Sequence, residues 1–390
     1  MTNCPCGSGI EFQHCCGKEG RTALNADVYA CVNLEGITSE NEITPEIKQA
    51  IETVTDNPQL FPARVNLPNN RAWFVKMSPM TFRESVFLDP GRMKGTCVIE
   101  SDLSWLQDKC KKITWQPTSF LFHSAFCGST LMSQVLERVY QCLSLREPEL
   151  LGNILYFQNS EAQTDQKTFW LDGLLKLLSR RFDSDAPVIV KANDHANSFM
   201  PLLLNWQPDI PVLFMYTPLN EFISGCLKAD NRKDWIKNRY ESIFSHLVKV
   251  FPHANDVNIN SSNHSEIAAA YWSYNLAMYL QISSLNRISV KSLDFNDMLD
   301  NPVSAIQRCG QFFGLKEKDD VHVQEIVDSA FGVYSKNSSF KYSPEQRHKE
   351  LQKQFSQFEN EQASGERIAR SLLKNHYPEK RLPNDLLSNS

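Results

Sequence analysis

The chain has 390 residues, enough for one large α/β domain with a small appendage, and its 42% hydrophobic and 22% charged content is that of an ordinary globular protein. Forty basic against 45 acidic residues leave a net charge of −5, so no global field draws the chain to nucleic acid or an anionic membrane. No apolar run approaches the ~20 residues of a transmembrane helix, and the N-terminus lacks the basic and apolar regions of a signal peptide. Eleven cysteines, four of them clustered, suit a reducing compartment better than a disulfide framework, which makes the expected address the cytoplasm.

The clustered four come first. Cys4, Cys6, Cys15 and Cys16 follow the pattern C-x-C-x₈-C-C, with Gly7, Gly9 and Gly17 allowing the backbone to fold tightly around an ion. Four thiolates suit tetrahedral zinc. The stretch resembles the SEC-C motif, a small zinc-binding module appended to many proteins, and the resemblance makes His14 an alternative ligand at the last positions. A closed four-ligand site has no open position for substrate, so its role is structural or a handle for a protein partner.

Residues 21–115 read as an N-terminal elaboration of the main sheet. A short helix is expected around Pro45–Val54, and the Pro- and Asn-rich stretch 58–70 reads as loop. Ala72–Lys76 and Ser85–Leu88 are expected strands, and Ser101–Lys111 a helix.

Thr118–Cys142 is the stretch around which the main domain is organised. Ser119–Phe122 is a short apolar run of the kind a buried parallel strand needs. His123–Gly128 breaks it, and Gly128 is free to take positive φ or to let a ligand close in. From Ser129 the period becomes helical, with Leu131, Val135 and Val139 at i, i+4 and i+8. A helix N-terminus behind such a loop offers free N–H groups to an anion. The P-loop pattern G-x-x-x-x-G-K-[ST] has His123, Gly128, Ser129 and Thr130 at its fixed places, so the first glycine and the lysine are missing. Cys127-Gly128-Ser129-Thr130 resembles the S-G-T-T of the sulfotransferase 5′-phosphosulfate loop, K-S-G-T-T. Phe126 stands where that family has its lysine.

Phe169–Phe182 is an expected helix and Pro187–Val190 a second buried strand, which ends in Lys191-Ala192-Asn193-Asp194-His195 on the ligand-binding edge of a parallel sheet. Sulfotransferases carry K-T-H here. The resemblance gives Lys191 the leaving oxygen. Asn193 falls on the histidine's position and cannot take a proton, which leaves Asp194 or His195 as base. Ile210–Tyr216 is the third strand. The family pattern R-x-P-x₅-S, which holds the donor's 3′-phosphate, is met by Pro218 and Ser224, while Tyr216 takes the arginine's place.

Lys228–Val250 and Glu266–Ser284 are expected helices, the first polar and aromatic. Arg287–Phe295 is a fourth strand, leading through Asn301-Pro302 to a helix that ends near Gly314. That run is similar to the R-Y-E-D-L-x-x-D-P…FLGL ending of the sulfotransferase core, and the resemblance covers roughly residues 118–315. In related enzymes a basic loop after the core closes over the nucleotide, and Lys336, Lys341 and Arg347 supply one here. Glu345–Leu373 fits a surface helix and Asn384–Ser390 a disordered tail.

These readings predict an α/β chain: a P-loop-type three-layer sandwich with a parallel sheet at 116–335, a zinc module at 1–20, and a polar C-terminal helix and tail at 336–390. The resemblance implies sulfuryl transfer from 3′-phosphoadenosine-5′-phosphosulfate to a hydroxyl or amine acceptor. Cys127, Gly128, Ser129, Thr130 and Ser224 would bind the donor, and Lys191 with Asp194 or His195 would act on the reacting atoms. No strand ends in a Walker-B-like acid, which argues against a metal-dependent NTPase. The alternative is a catalytically inactive protein that binds a nucleotide or phosphorylated ligand, with the zinc module docking a protein partner.

Overall fold

The computed structural model describes residues 53–388 apart from 67–70, 90–92, 94–95, 160–163, 184–185, 258, 286, 332, 335–336 and 342–343. The four clustered cysteines, residues 45–52 of the helix expected around Pro45–Val54, and Lys336 lie outside the described residues. Ten strands are described: β1 (Leu60–Asn66), β2 (Arg71–Lys76), β3 (Thr96–Asp102), β4 (Thr118–His123), β5 (Leu143–Arg146), β6 (Val188–Lys191), β7 (Val212–Tyr216), β8 (Val290–Asp294), β9 (Val333–Tyr334) and β10 (Asn337–Lys341). The helices up to residue 206 are α1 (Pro79–Glu84), α2 (Leu103–Cys110), α3 (Ser129–Val139), α4 (Leu150–Asn159), α5 (Thr164–Leu178) and α6 (Met200–Trp206). Beyond it come α7 (Leu219–Leu227), α8 (Asp230–Val250), α9 (His264–Ser283), α10 (Phe295–Asp300), α11 (Pro302–Phe312), α12 (Val323–Phe331), α13 (Pro344–Gln357) and α14 (Glu359–Leu373).

The main sheet has the strand order β5-β6-β4-β7-β8, parallel throughout, with helices around it. This is the expected α/β architecture. β4 takes the centre of the order because its six residues are all buried, as a strand covered on both faces must be. Among the described residues no helix is long and apolar enough to cross a membrane.

The chain divides into two compact units, 1–119 with 140–192, and 120–139 with 193–390. In the first, β1, β2 and β3 form an antiparallel sheet. β1 corrects the loop expected at 58–70. Leu60, Phe61, Ala63 and Val65 are buried, and Pro62 is tolerated at a bulge in an edge strand, where the missing N–H costs no ladder bond. Ser85–Leu88 is not a strand. It follows α1, whose start is fixed by a Ser78–Thr81 capping box, and the Arg146 guanidinium, 1% exposed, takes the Phe82, Arg83 and Ser85 carbonyls that a neighbouring strand would otherwise satisfy. Arg180 does the same for Val54, Asn57 and Leu60, and burial lowers its pKa to about 10.

In the second unit α9 is buried on all its faces over most of its length, which makes it the central post. It packs against α14, so α14 is no surface helix: Gly365, Ile368, Ala369, Leu372 and Leu373 are buried. A Cβ on Gly365 would lie 3.1 Å from the Ser265 carbonyl, so the close approach of the two helices requires glycine. The expected disordered tail is instead ordered to Ser388. Ser292 donates to the Asn384 carbonyl at 3.0 Å and accepts from Leu386 at 2.8 Å, with Leu382 and Leu386 buried.

Candidate functional site

The loop after β4 is built from three consecutive constraints. Ser124 N–H donates to the Met215 carbonyl of β7 at 3.0 Å, which holds the loop entrance to the sheet. Ala125 N–H donates to Nδ1 of His123 at 3.0 Å. A backbone N–H can only donate, so Nδ1 of His123 is the acceptor in this bond. Ala125, Phe126 and Gly128 then take φ of 68°, 54° and 71°. Sequence reasoning assigned that freedom to Gly128 alone.

Left-handed backbone at two non-glycine residues costs on the order of 1–3 kcal/mol each and persists only where surroundings fix it. Phe126 is fixed by an aromatic and cationic box. Its ring lies 5.7 Å from Phe222 and 5.2 Å from Trp235, with the Arg232 guanidinium 4.9 Å from its centroid. Gly225 lies beneath it, and a Cβ there would be 3.1 Å from Phe126 Cδ2. Gly128 is glycine for a second reason beyond its φ. A Cβ would sit 2.9 Å from Met298 Cε and closer still to the Phe295 ring, so the space beside it is already filled by side chains.

Ser129 and Thr130, both buried, then open α3, whose first N–H groups lack intrahelical partners. Cys127 is a buried thiol outside any disulfide. His123 to Gln134 contains no Lys or Arg. The cations near the loop come from elsewhere in the chain: Arg232 on Phe126, and Arg347 of α13, which stands 4.8 Å over the Phe295 ring and pairs with Glu221. Glu221 also accepts from Asn296 Nδ2 at 2.8 Å and from Thr217 Oγ1 at 3.3 Å.

Each predicted site residue has a definite environment. Lys191 is fully buried at the end of β6, and its ammonium pairs with Glu147. Asp194 accepts two bonds from Arg239, at 3.0 and 3.1 Å, and one from Tyr271 at 2.6 Å. Burial alone would raise its pKa, but Arg239, His123, His195 and the Tyr271 hydroxyl together hold it down to about 2. His195 is half-buried. Asn193 is 8% exposed, and its Oδ1 has no hydrogen-bond partner among the described residues. Ser224 donates to the Asn220 carbonyl at 2.8 Å and accepts from Gln362 at 2.9 Å, a helix-to-helix tie. The Tyr216 hydroxyl accepts from Leu382 N–H at 3.1 Å, and burial and Asp294 raise its pKa.

Tyr216 and Asp294 also line a cavity of about 510 Å³ at the carboxyl ends of β7 and β8. Asp294 caps α10 through Asn296 N–H at 2.8 Å, and burial pushes its carboxyl up to about 6. The sequence did not single out Arg232, Arg239, Tyr271, Glu147, Glu221 or Asp294. One signal for the first two was present: Arg232, Trp235 and Arg239 share a face of α8 at i, i+3 and i+7.

Residues 3–18 match the SEC-C motif family model. No curated protein sequence matches the chain. Solved structures similar to it include sulfotransferases. One from Alicyclobacillus acidocaldarius is 15% identical, with a TM-score of 0.32, covering 66% of this chain and 97% of that one. The sulfotransferase domain from the curacin biosynthetic pathway is 12% identical at a TM-score of 0.36, covering 67% and 98%. Sulfotransferase STF9 from Mycobacterium avium is 11% identical at 0.37, covering 66% and 80%.

Proposed function

We propose that this protein is a sulfotransferase-like transferase that moves a sulfuryl group from 3′-phosphoadenosine-5′-phosphosulfate to a hydroxyl or amine acceptor. The observation that carries the reading is the loop Ser124–Thr130: a strand end at the sheet's centre, a left-handed turn, and a helix N-terminus aimed as an anion site requires. The backbone of Cys127–Gly128 with Ser129 and Thr130 holds the 5′-phosphosulfate, and Arg232, stacked on Phe126, supplies the cation that the loop lacks. Ser224 and Arg347 serve the 3′-phosphate, which requires Gln362 and Glu221 to release them.

In the reaction the acceptor oxygen or nitrogen attacks sulfur, the bond from sulfur to the phosphate oxygen breaks, and a base takes the acceptor's proton. Between the two base candidates the geometry favours His195, because a carboxylate held at about 2 by Arg239 is a poor proton acceptor near neutrality. The role that the resemblance gives Lys191, neutralising the leaving oxygen, requires its release from Glu147. Zinc on Cys4, Cys6, Cys15 and Cys16 completes a cytoplasmic protein whose terminal module docks a partner.

A second reading has its own observation. Lys191 is already neutralised by Glu147, and Asp194 by Arg239, which suits a protein that binds a nucleotide or phosphorylated ligand without turning it over.

Thermal unfolding with nucleotides tests both. A ligand at ~100 times its Kd stabilises by about 2.7 kcal/mol. The desulfated donor, adenosine 3′,5′-bisphosphate, is expected to raise Tm more than ATP or GTP, and Arg232→Ala to lower its affinity about tenfold or more. A larger shift with ATP and magnesium overturns the sulfotransferase reading. No shift with any nucleotide overturns nucleotide binding altogether.

A further inference from the structure

A cavity of about 1120 Å³, larger than the one beside Tyr216 and Asp294 and sharing no lining residue with it, opens within the second unit. Its walls are the ends of α8, α9 and α14 and the 3₁₀ turn Lys374–His376. Two features separate it from an accidental gap between helices. Its floor is apolar, formed by Phe251, Met278, Leu280, Leu372 and Leu373. Its titratable lining is wholly basic: His246, Lys249, His253, Lys374 and His376, with no Asp or Glu, in a chain whose net charge is −5.

The simplest account of lysines at helix C-termini is that they cap carbonyls and oppose the dipole. Several of the carbonyls here are already served. Leu247 O accepts from Phe251 N–H at 2.8 Å, Leu280 O from Ser283 Oγ at 3.0 Å and from Ser284 N–H at 3.1 Å, and Ser371 O lies 3.1 Å from His253 Nε2. Lys249 and Lys374 form no ion pair among the described residues, whereas Lys176, Lys191, Lys228 and Lys233 each have a carboxylate. Lys374 also sits at φ 50°, an uncommon conformation for a residue with a side chain.

A polar handle completes the cavity. His246 Nδ1 lies 2.6 Å from the Tyr274 hydroxyl, and both His246 and Ser198 line the space. With the Tyr274 hydroxyl donating to Nδ1, the neutral ring carries its proton on Nε2 and has that N–H to donate. Burial and Lys249 lower the His246 pKa, which fits that neutral form.

Apolar floor, ammonium groups without a carboxylate and a neutral donor together specify the ligand's chemistry. We infer that this cavity is a second ligand site, separate from the transferase reading, which takes a small amphipathic anion: an alkyl or aryl carboxylate or sulfate. The hydrocarbon body lies on Met278, Leu372 and Leu373, and the anionic head meets Lys249 and Lys374.

The probe is sodium decanoate below its micellar concentration, titrated calorimetrically into the full chain, with 1-decanol and decyltrimethylammonium for comparison. The variant is Lys249→Glu/Lys374→Glu, two exposed positions whose change leaves the core intact, checked by an unchanged Tm. One decanoate per chain is expected, with affinity lowered about tenfold or more by the variant while decanol binds both proteins alike. No decanoate binding to the unaltered protein, equal affinity in the variant, or tighter binding of decyltrimethylammonium would each overturn the inference. Because neither lysine belongs to the nucleotide loop, this result stands or falls apart from the adenosine bisphosphate shift.

Discussion

Replacing Arg239 by alanine isolates a heavily constrained charge in the second unit. Asp194 is 5% exposed and receives two bonds from Arg239 and one from Tyr271. Its folded pKa of about 2 lies below the ordinary 3.8, and at about 1.4 kcal/mol per unit the ionised carboxylate contributes about 2 kcal/mol. Because the folded value is depressed, that contribution is complete above the unfolded pKa and disappears as pH falls through 2. Without Arg239 the sign reverses. Burial then dominates, the folded pKa rises above the unfolded one, and the ionised carboxylate becomes a cost that is greatest at neutral pH. Breaking a buried pair from one side costs about 3–5 kcal/mol. Urea unfolding should show a deficit of that size for Arg239→Ala at pH 7, shrinking by at least about 1 kcal/mol at pH 4, where Asp194 is protonated in the variant. Asp194→Asn added to Arg239→Ala should recover part of it at pH 7. A deficit under about 1 kcal/mol, or one equal at both pH values, refutes the argument.

Gly128→Ala should lower stability by about 2–4 kcal/mol, since it combines a left-handed backbone with a Cβ against Phe295 and Met298; an unchanged Tm would mean that those side chains move aside freely. Removing residues 382–390 exposes the sites of Leu382 and Leu386, two buried leucines worth about 3–6 kcal/mol together, and an unaltered urea midpoint would restore the disordered tail. Cys4→Ser/Cys6→Ser should abolish the one zinc proposed for the terminal module without changing the melt of the core, and equal zinc by metal analysis in both proteins would end the assignment.

The parts of the fold legible in the sequence are those whose signal is local. β4, β6 and β7 carry apolar runs because a central parallel strand is covered on both faces, and α3 announces itself by a change of period after a break. The parts missed depend on a distant partner. β1 carries Pro62, which reads as a loop residue until its pairing with β2 makes it an edge-strand bulge. α14 hides its buried face behind Gly365 and Ala369, small residues that carry no hydrophobic signal but allow close packing on α9. The tail is ordered by hydrogen bonds to Ser292, some 90 residues away.

The same division runs through the candidate site. Position alone places Lys191, Asp194 and His195 at the end of β6. It does not reveal Glu147, 44 residues before Lys191, or Arg239, 45 residues after Asp194, and these partners change what the two side chains can do. A motif comparison registers Phe126 as a lost cation. Yet Phe126 can hold left-handed φ only because Phe222, Trp235 and Arg232 enclose its ring, and one of those three is an arginine. The residue that departs from the pattern is therefore also the platform that brings a guanidinium to the loop. Such a substitution is spread over more than 100 residues, and a motif confined to five cannot register it.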